Sequence, residues 1–509
     1  MAGGKGIRLV RLSMVREKAV KCQLFAVTAV SLLLLISAAG AEENWLEVAV
    51  RGKPSCLYPS ELNDAIGTAI LKNNVFEGLV RFSPDSFSVE PNLVRDWEIR
   101  DGGKVWIFQV KEGITFHDGS PLTAFDIVDS IRKNKYFSGV PSVESRMKVR
   151  FTMPVRTANL LKVLTNLKNF PAKTGEDGSI LGTGPFTLQE WDGGDKIHIA
   201  AYRGYWGRKP ALDGATFHCL SGPGEAVALM REGRLDVLYS VPPSLADEVI
   251  SDSGLDLDII KGSNTLYILI NPFRPPLDNA EFRRALNLAV DRREIIRNIF
   301  YGQAVECRTY LPPAISSLRE QMEVPYNPER ARMVFSRYQV SERSFKLVGL
   351  PFPRPYCPEP EKLAGMIKGY LEEAGLKVEY VRPDSWESYI NDYWNPRVDY
   401  DFLITGWLLD TEDPNDFYSC VFGIGNTEDE FNRWWKPERF ESLIIDARET
   451  VSIRRIWSLL DQAEKVLQEE YPWILISHPH RLGAYGKNVT GLDFSPVNEF
   501  YLNEVRIED

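Results

Sequence analysis

Short, nearly continuous apolar runs alternate along this chain with longer stretches whose apolar residues recur at helical spacing. KVWIFQV, residues 104–110, is of the first kind and suits a buried strand. NAEFRRALNLAVDRREIIRNIF, residues 279–300, is of the second kind. Phe282, Leu286, Ala289, Val290 and Ile296 form its apolar stripe, and Asn279 is placed to cap it. Further helices are expected at 361–374, closed by Gly375, and at 453–470. Strand-like runs at 265–270, 378–381, 401–405 and 473–477 lie between them. Such an alternation specifies a mixed α/β protein. The 509 residues exceed what one hydrophobic core holds. At about 150 residues per domain they make roughly three domains, enough chain for a cleft between lobes.

The N-terminus has the order of an export signal. Lys5, Arg8, Arg11, Arg16, Lys18 and Lys21 precede an apolar run from about Leu24 to Ile36, which is too short to span a membrane comfortably. Ala39 and Ala41 then supply the small residues of a cleavage site, so cleavage is expected after Ala41, giving a periplasmic protein. The remaining chain carries 54 basic against 69 acidic residues, a net charge near −15, with no run of lysine or arginine. Nucleic acid and anionic membrane surfaces are thereby disfavoured as partners. Five cysteines remain: Cys56, Cys219, Cys307, Cys357 and Cys420. Export permits disulfides, an odd number leaves at least one thiol free, and the spacing does not assign pairs. None is in a C-x-x-C spacing, which removes the usual zinc or redox motif.

Two histidine-bearing stretches invite a chemical reading. In VKEGITFHDGSPLTAFDIVDSI, residues 110–131, His117 stands beside Asp118-Gly119, a pair that turns a chain cheaply. Thr123 and Asp126 then form the ends of a capping box. Every residue there has a local structural task, so His117 is read as architecture. In SHPH, residues 477–480, His478 and His480 share one face of a strand, yet no Cys, Asp or Glu stands close enough in sequence to complete a metal set. No cofactor is expected. Serine-nucleophile, H-E-x-x-H and phosphate-loop motifs are absent from the sequence.

Several segments together resemble one family, the extracytoplasmic solute-binding proteins, family 5, of peptide-type ABC transporters. They are WEIRDGGKVWIFQVKEGITFHDGSPLTAFDIVDSI (97–131), GTGPFTLQEW (182–191), YWGRKPALDG (205–214), MREGRLDVLYSVPP (230–243) and FRRALNLAVDRREIIRNIFYGQA (282–304). The resemblance runs from about residue 45 to the C-terminus, with one departure in a short link between Phe137 and Val149. It implies an α/β, periplasmic-binding-protein type II clamp of two lobes with an inserted extra domain. Domain I would comprise residues 42–77, 182–264 and 483–509, the inserted domain II residues 78–181, and domain III residues 265–482. Closure would be a hinge motion around the ligand.

The resemblance also implies a site. LPFPRPYCPEPEKLAGMI, residues 350–367, is similar to the dipeptide-binding branch, in which the arginine before Pro-Tyr holds the peptide carboxylate; that residue is Arg354, with Tyr356 beside it. A guanidinium makes two parallel hydrogen bonds to a carboxylate, which lysine does not reproduce. In ITGWLLDTEDPNDF, residues 404–417, Asp410 matches the aspartate that receives the peptide ammonium. Trp407 and the backbone of Gly406 to Leu408 would flank the peptide as an added strand. Asp413, before Pro414, is read as a turn former. The implied partners are a short peptide and a membrane permease, the protein itself being a monomer and not an enzyme. Other branches of the family carry nickel, haem, glutathione or cell-wall peptides. The reading of a different class is an exported hydrolase built on His117-Asp118 or His478 and His480.

Overall fold

The structure is a computed structural model that describes residues 44–508, apart from residues 63, 84–85, 192, 221, 317, 319–320, 395–398, 409–412, 425–436, 451 and 496–499. The expected export signal lies outside the described residues, and so does Asp410. The compact unit spans Leu46–Asp509.

Two large sheets organise that unit. The first has seven strands in the order Phe186–Glu190, Lys196–Ala201, Gly214–Leu220, Trp45–Arg51, Val237–Leu238, Arg481–Gly486 and Leu255–Ile260. The second has six, in the order Ala304–Glu306, Trp473–Pro479, Thr265–Ile270, Phe402–Trp407, Ser344–Val348 and Lys377–Val381. A separate four-stranded sheet, Val94–Arg100, Val105–Val110, Lys148–Thr152 and Val140–Ser145, packs its own core against the helix Ala124–Lys133. The hairpin of the last two strands fills the short link between Phe137 and Val149.

The second sheet shows why its strands read as unbroken apolar runs. Leu266, Ile268 and Ile270 face a core that includes Phe282, Ile295 and Leu363, whereas Tyr267 faces another that includes Phe417, Phe440 and Leu459. Side chains alternate along a strand, so a sheet covered on both faces needs apolar residues at both parities. The helices Ala280–Ala289, Arg292–Phe300 and Pro360–Glu373 cover one face. Pro414–Phe422, Glu438–Glu449 and Ile453–Glu470 cover the other.

One expected helix is in fact two. The stretch 279–300 breaks at Val290, which is extended (φ −103°, ψ 121°), and Asp291 caps a second helix by accepting the Glu294 N–H. The cap satisfies a donor that a new helix start exposes, and it offsets the loss of continuous helix. Ile296, expected in the stripe, is half-buried, while Ile295 and Ile299 are fully buried.

The chain passes between the two large sheets near residues 260–265 and 479–481, and the two SHPH histidines sit at this crossing. Gly262 N–H donates to His480 Nδ1 at 3.0 Å. His478 is buried against Asn264 O, Thr265 Oγ1 and Thr309 O at 3.0–3.2 Å. Burial lowers its pKa to about 4. Each ring is engaged separately, and no group of three metal-ligating side chains exists among the described residues.

His117 is likewise a brace. Its Nδ1 accepts the Gly182 N–H and its Nε2 donates to Gly184 O, both at 3.2 Å, tying the HDG turn to GTGPF. Those glycines are required by close approach: a Cβ on Gly182 would fall 2.0 Å from Val75 O, and one on Gly184 2.4 Å from Asn74 O. Asp118 accepts from Ser120 N and pairs with Lys173 at 2.8 Å. Thr123 and Asp126 form the expected capping box. Nearby, buried Glu77 accepts from Tyr205 Oη at 2.8 Å, Trp206 Nε1 at 2.9 Å and Thr183 Oγ1 at 3.1 Å, which joins YWGRKP to GTGPF. These segments are spent on architecture, and their side chains satisfy one another.

Candidate ligand-binding site

The loop before the helix Pro360–Glu373 presents Arg354 by a tight four-residue turn. Arg354 N–H donates to Cys357 O at 2.9 Å and Cys357 N–H donates back to Arg354 O at 2.8 Å, with Pro355 fixing the second position. The guanidinium then lies among aromatic rings. Its Cζ is 4.7 Å from the centroid of Trp386, 5.9 Å from Tyr356 and 6.0 Å from Phe352. A planar cation stacks favourably on such faces, so the rings fix its plane. Arg354 Nε is buried with no hydrogen-bond partner, and no carboxylate among the described residues pairs with the guanidinium. Burial pushes the Tyr356 hydroxyl up to about 12, with the Arg354 charge opposing the shift. The tyrosine is therefore a neutral wall at ordinary pH.

The strand Phe402–Trp407 meets this loop at Gly406. A Cβ there would fall 2.4 Å from the Tyr356 ring and 2.5 Å from Thr265 O, so the ring lies directly on the glycine. On one side the strand pairs along its whole length with Thr265–Ile270. On the other, its pairing with Ser344–Val348 ends at Val348↔Leu403. Residues 404–407 thus have a neighbouring strand on one side alone among the described residues, and the Tyr389 hydroxyl donates to Ile404 O at 2.9 Å. An extended ligand can be received on such an edge. Trp407 packs toward the core that holds Trp473, and its Nε1 is buried and unpaired. Leu408 packs toward the opposite face.

Beyond Leu408 lies a cavity of about 570 Å³. Leu408, Asp413 and Asp416 line it on the side of the second sheet; Asp64, Thr68, Tyr136, Lys162 and Asn166 are among the residues facing them. Among the described residues, the charged side chains in its wall are Lys72, Lys162 and Lys168 against Asp64, Asp413 and Asp416. Of the described residues expected to bind ligand, Leu408 alone lines this cavity; Arg354, Tyr356 and Gly406 stand together, and Trp407 follows Gly406 on the strand.

Three residues of this region were not singled out from the sequence: Trp386, Phe352 and Lys162. Lys162 Nζ reaches Asp413 Oδ1 at 2.8 Å, with side-chain exposures of 23% and 3%. Asp413 also caps the helix Pro414–Phe422 by accepting the Asn415 N–H. Its turn-forming role is therefore accompanied by an ion pair, formed with a short helix, Leu160–Val163, that is anchored in the core of the four-stranded sheet.

Residues 88–429 match the family described as bacterial extracellular solute-binding proteins, family 5 Middle. The chain belongs to this family. Family 5 proteins are extracytoplasmic transport binders rather than enzymes. The chain is 25% identical to the dipeptide-binding protein of Escherichia coli K12, over 94% of this chain and 97% of that one. It is also 25% identical to heme-binding protein A of Haemophilus influenzae, over 83% and 85% of the two chains. Among solved structures, the dipeptide-binding protein of Pseudoalteromonas sp. SM9913 in complex with Met-Leu superposes with a TM-score of 0.77 at 20% identity, covering 91% of this chain and all of that one. This family-5 chain thus has the type II clamp fold with its inserted domain.

Proposed function

We propose that this family-5 protein is an exported receptor that captures a short, dipeptide-like peptide by both termini and delivers it to the membrane permease of an ABC transporter. The observation that carries the reading is Arg354: a buried, unpaired Nε on a guanidinium set among three aromatic rings beside the half-open edge of residues 404–407. Its fork takes the peptide carboxylate. Asp410, outside the described residues, receives the ammonium group. Tyr356 and Trp407 form the walls, and the backbone from Gly406 to Leu408 pairs with the peptide as a strand. Fixing both ends fixes the span, because each further extended residue adds about 3.3 to 3.6 Å.

The same reading gives a monomer in the periplasm after cleavage behind Ala41, and no catalytic step. It also divides the chain as the resemblance implies, with domain II inserted at 78–181 and domain III at 265–482.

Mass spectrometry of small molecules released on denaturing the purified protein tests the reading, with a pool of dipeptides expected. A released metal complex or a turnover product in their place overturns it. Asp410→Asn leaves the ammonium group without its counter-charge, an expected loss of about 2 to 5 kcal/mol in peptide binding. Unchanged affinity removes Asp410 from the site.

A further inference from the structure

The ion pair between Lys162 and Asp413 joins two separately packed bodies. Lys162 belongs to the helix Leu160–Val163, anchored through Leu160 on the four-stranded sheet; Asp413 starts a helix packed on the second large sheet. Both residues line the 570 Å³ cavity, and so does Leu408, where the strand that would receive the peptide ends. The space there is of the size that holds small ligands, since pockets of about 300 to 1,000 Å³ do so. Volume is therefore not what limits a peptide at this end. Charge is: the carboxylate of Asp413, 3% exposed, already carries an ammonium group supplied by the chain itself.

We infer that Lys162 is a specificity-determining residue that sets the upper length of the ligand. The inference rests on the two-ended peptide reading. A peptide one residue longer, with its carboxylate fixed, carries its ammonium group about 3.3 to 3.6 Å further, toward the cavity. It meets there a like charge, Lys162 Nζ, on the carboxylate that would otherwise receive it. Specificity is a difference of two affinities, and a repulsive charge against the longer ligand creates that difference as effectively as a better fit to the shorter one. The device is inexpensive in structure, because the same pair also holds the facing bodies together.

Titration calorimetry of the whole protein, freed of ligand, with Ala-Ala and Ala-Ala-Ala tests this. Lys162→Met keeps the aliphatic stem and removes the charge. It is expected to raise the tripeptide-to-dipeptide affinity ratio about tenfold. Lys162→Arg keeps the wild-type ratio, and adding Asp413→Asn to Lys162→Met cancels the gain while retaining a helix cap. Should Lys162→Met fail to fold, Lys162→Gln replaces it. An unchanged ratio in a folded, uncharged variant overturns the inference alone. A wild-type protein that binds neither peptide overturns the peptide reading, and this inference with it.

Discussion

His117 and Arg354 are both basic side chains held in tight turns, and they differ in what remains of their hydrogen bonding. Both nitrogens of His117 are committed, one to Gly182 N–H and the other to Gly184 O. Burial lowers its pKa to about 4, with Asp118 opposing the shift. Arg354, set among three aromatic rings, keeps Nε buried and unpaired. Leaving a buried donor unmade costs about 1 to 3 kcal/mol, and beside the half-open edge of residues 404–407 a ligand carboxylate is placed to complete this one. The comparison separates polar residues spent on architecture from those held in reserve for a ligand.

The largest effect expected from that distinction is at Arg354. Arg354→Ala should lower dipeptide affinity by about 2 to 5 kcal/mol in a calorimetric titration while leaving the melting temperature nearly unchanged. Arg354→Lys should recover little of it, because a point charge lacks the planar fork. A large drop in melting temperature with intact affinity would move Arg354 into the architectural class.

His117 should behave in the opposite way. It is neutral in the fold, whereas in the unfolded chain it takes up a proton below about pH 6.5. Its contribution is therefore complete above that pH and declines as the pH falls toward 4, by up to about 3 kcal/mol. His478, also lowered to about 4 by burial, adds a parallel decline. Glu464 runs the other way, because burial raises it to about 7 and its contribution is lost as the pH rises through that value. Subtracting the denaturation profile of His117→Gln from that of the wild type cancels the latter two and leaves the His117 limb. Identical slopes between pH 6.5 and 4 would show that this histidine is not held neutral.

The smallest effect belongs to Trp386. Trp386→Leu removes the ring nearest the guanidinium and should weaken peptide binding by about 0.5 to 2 kcal/mol. Affinity equal to wild type would reduce the stack to mere proximity.

How much of this is legible in the sequence depends on the distance over which a residue acts. The strand Val105–Val110, the box of Thr123 and Asp126, and the helices Pro360–Glu373 and Ile453–Glu470 follow from residues within a turn or two of each other. The break at Val290 does not, because the apolar stripe continues through it and Asp291 is one polar residue among several. Arg354 and Trp407 enter through whole-segment resemblance; nothing local to RPYC distinguishes that arginine from one on a solvated loop. Lys162 has no local signature at all. Its partner is 251 positions away, and only the packing of two distant helices brings a common lysine to a common aspartate.

Among the described residues, the wall of the cavity carries three lysines and three aspartates. A free peptide with uncharged side chains carries one charge of each sign at neutral pH. The receptor's strong overall acidity then exerts no net pull on such a cargo. Arrival should accordingly proceed at a rate that background salt barely alters, unlike encounters steered by opposite net charges. For a protein exposed to whatever ionic strength its surroundings impose, a cargo without net charge keeps the speed of capture nearly insensitive to salt.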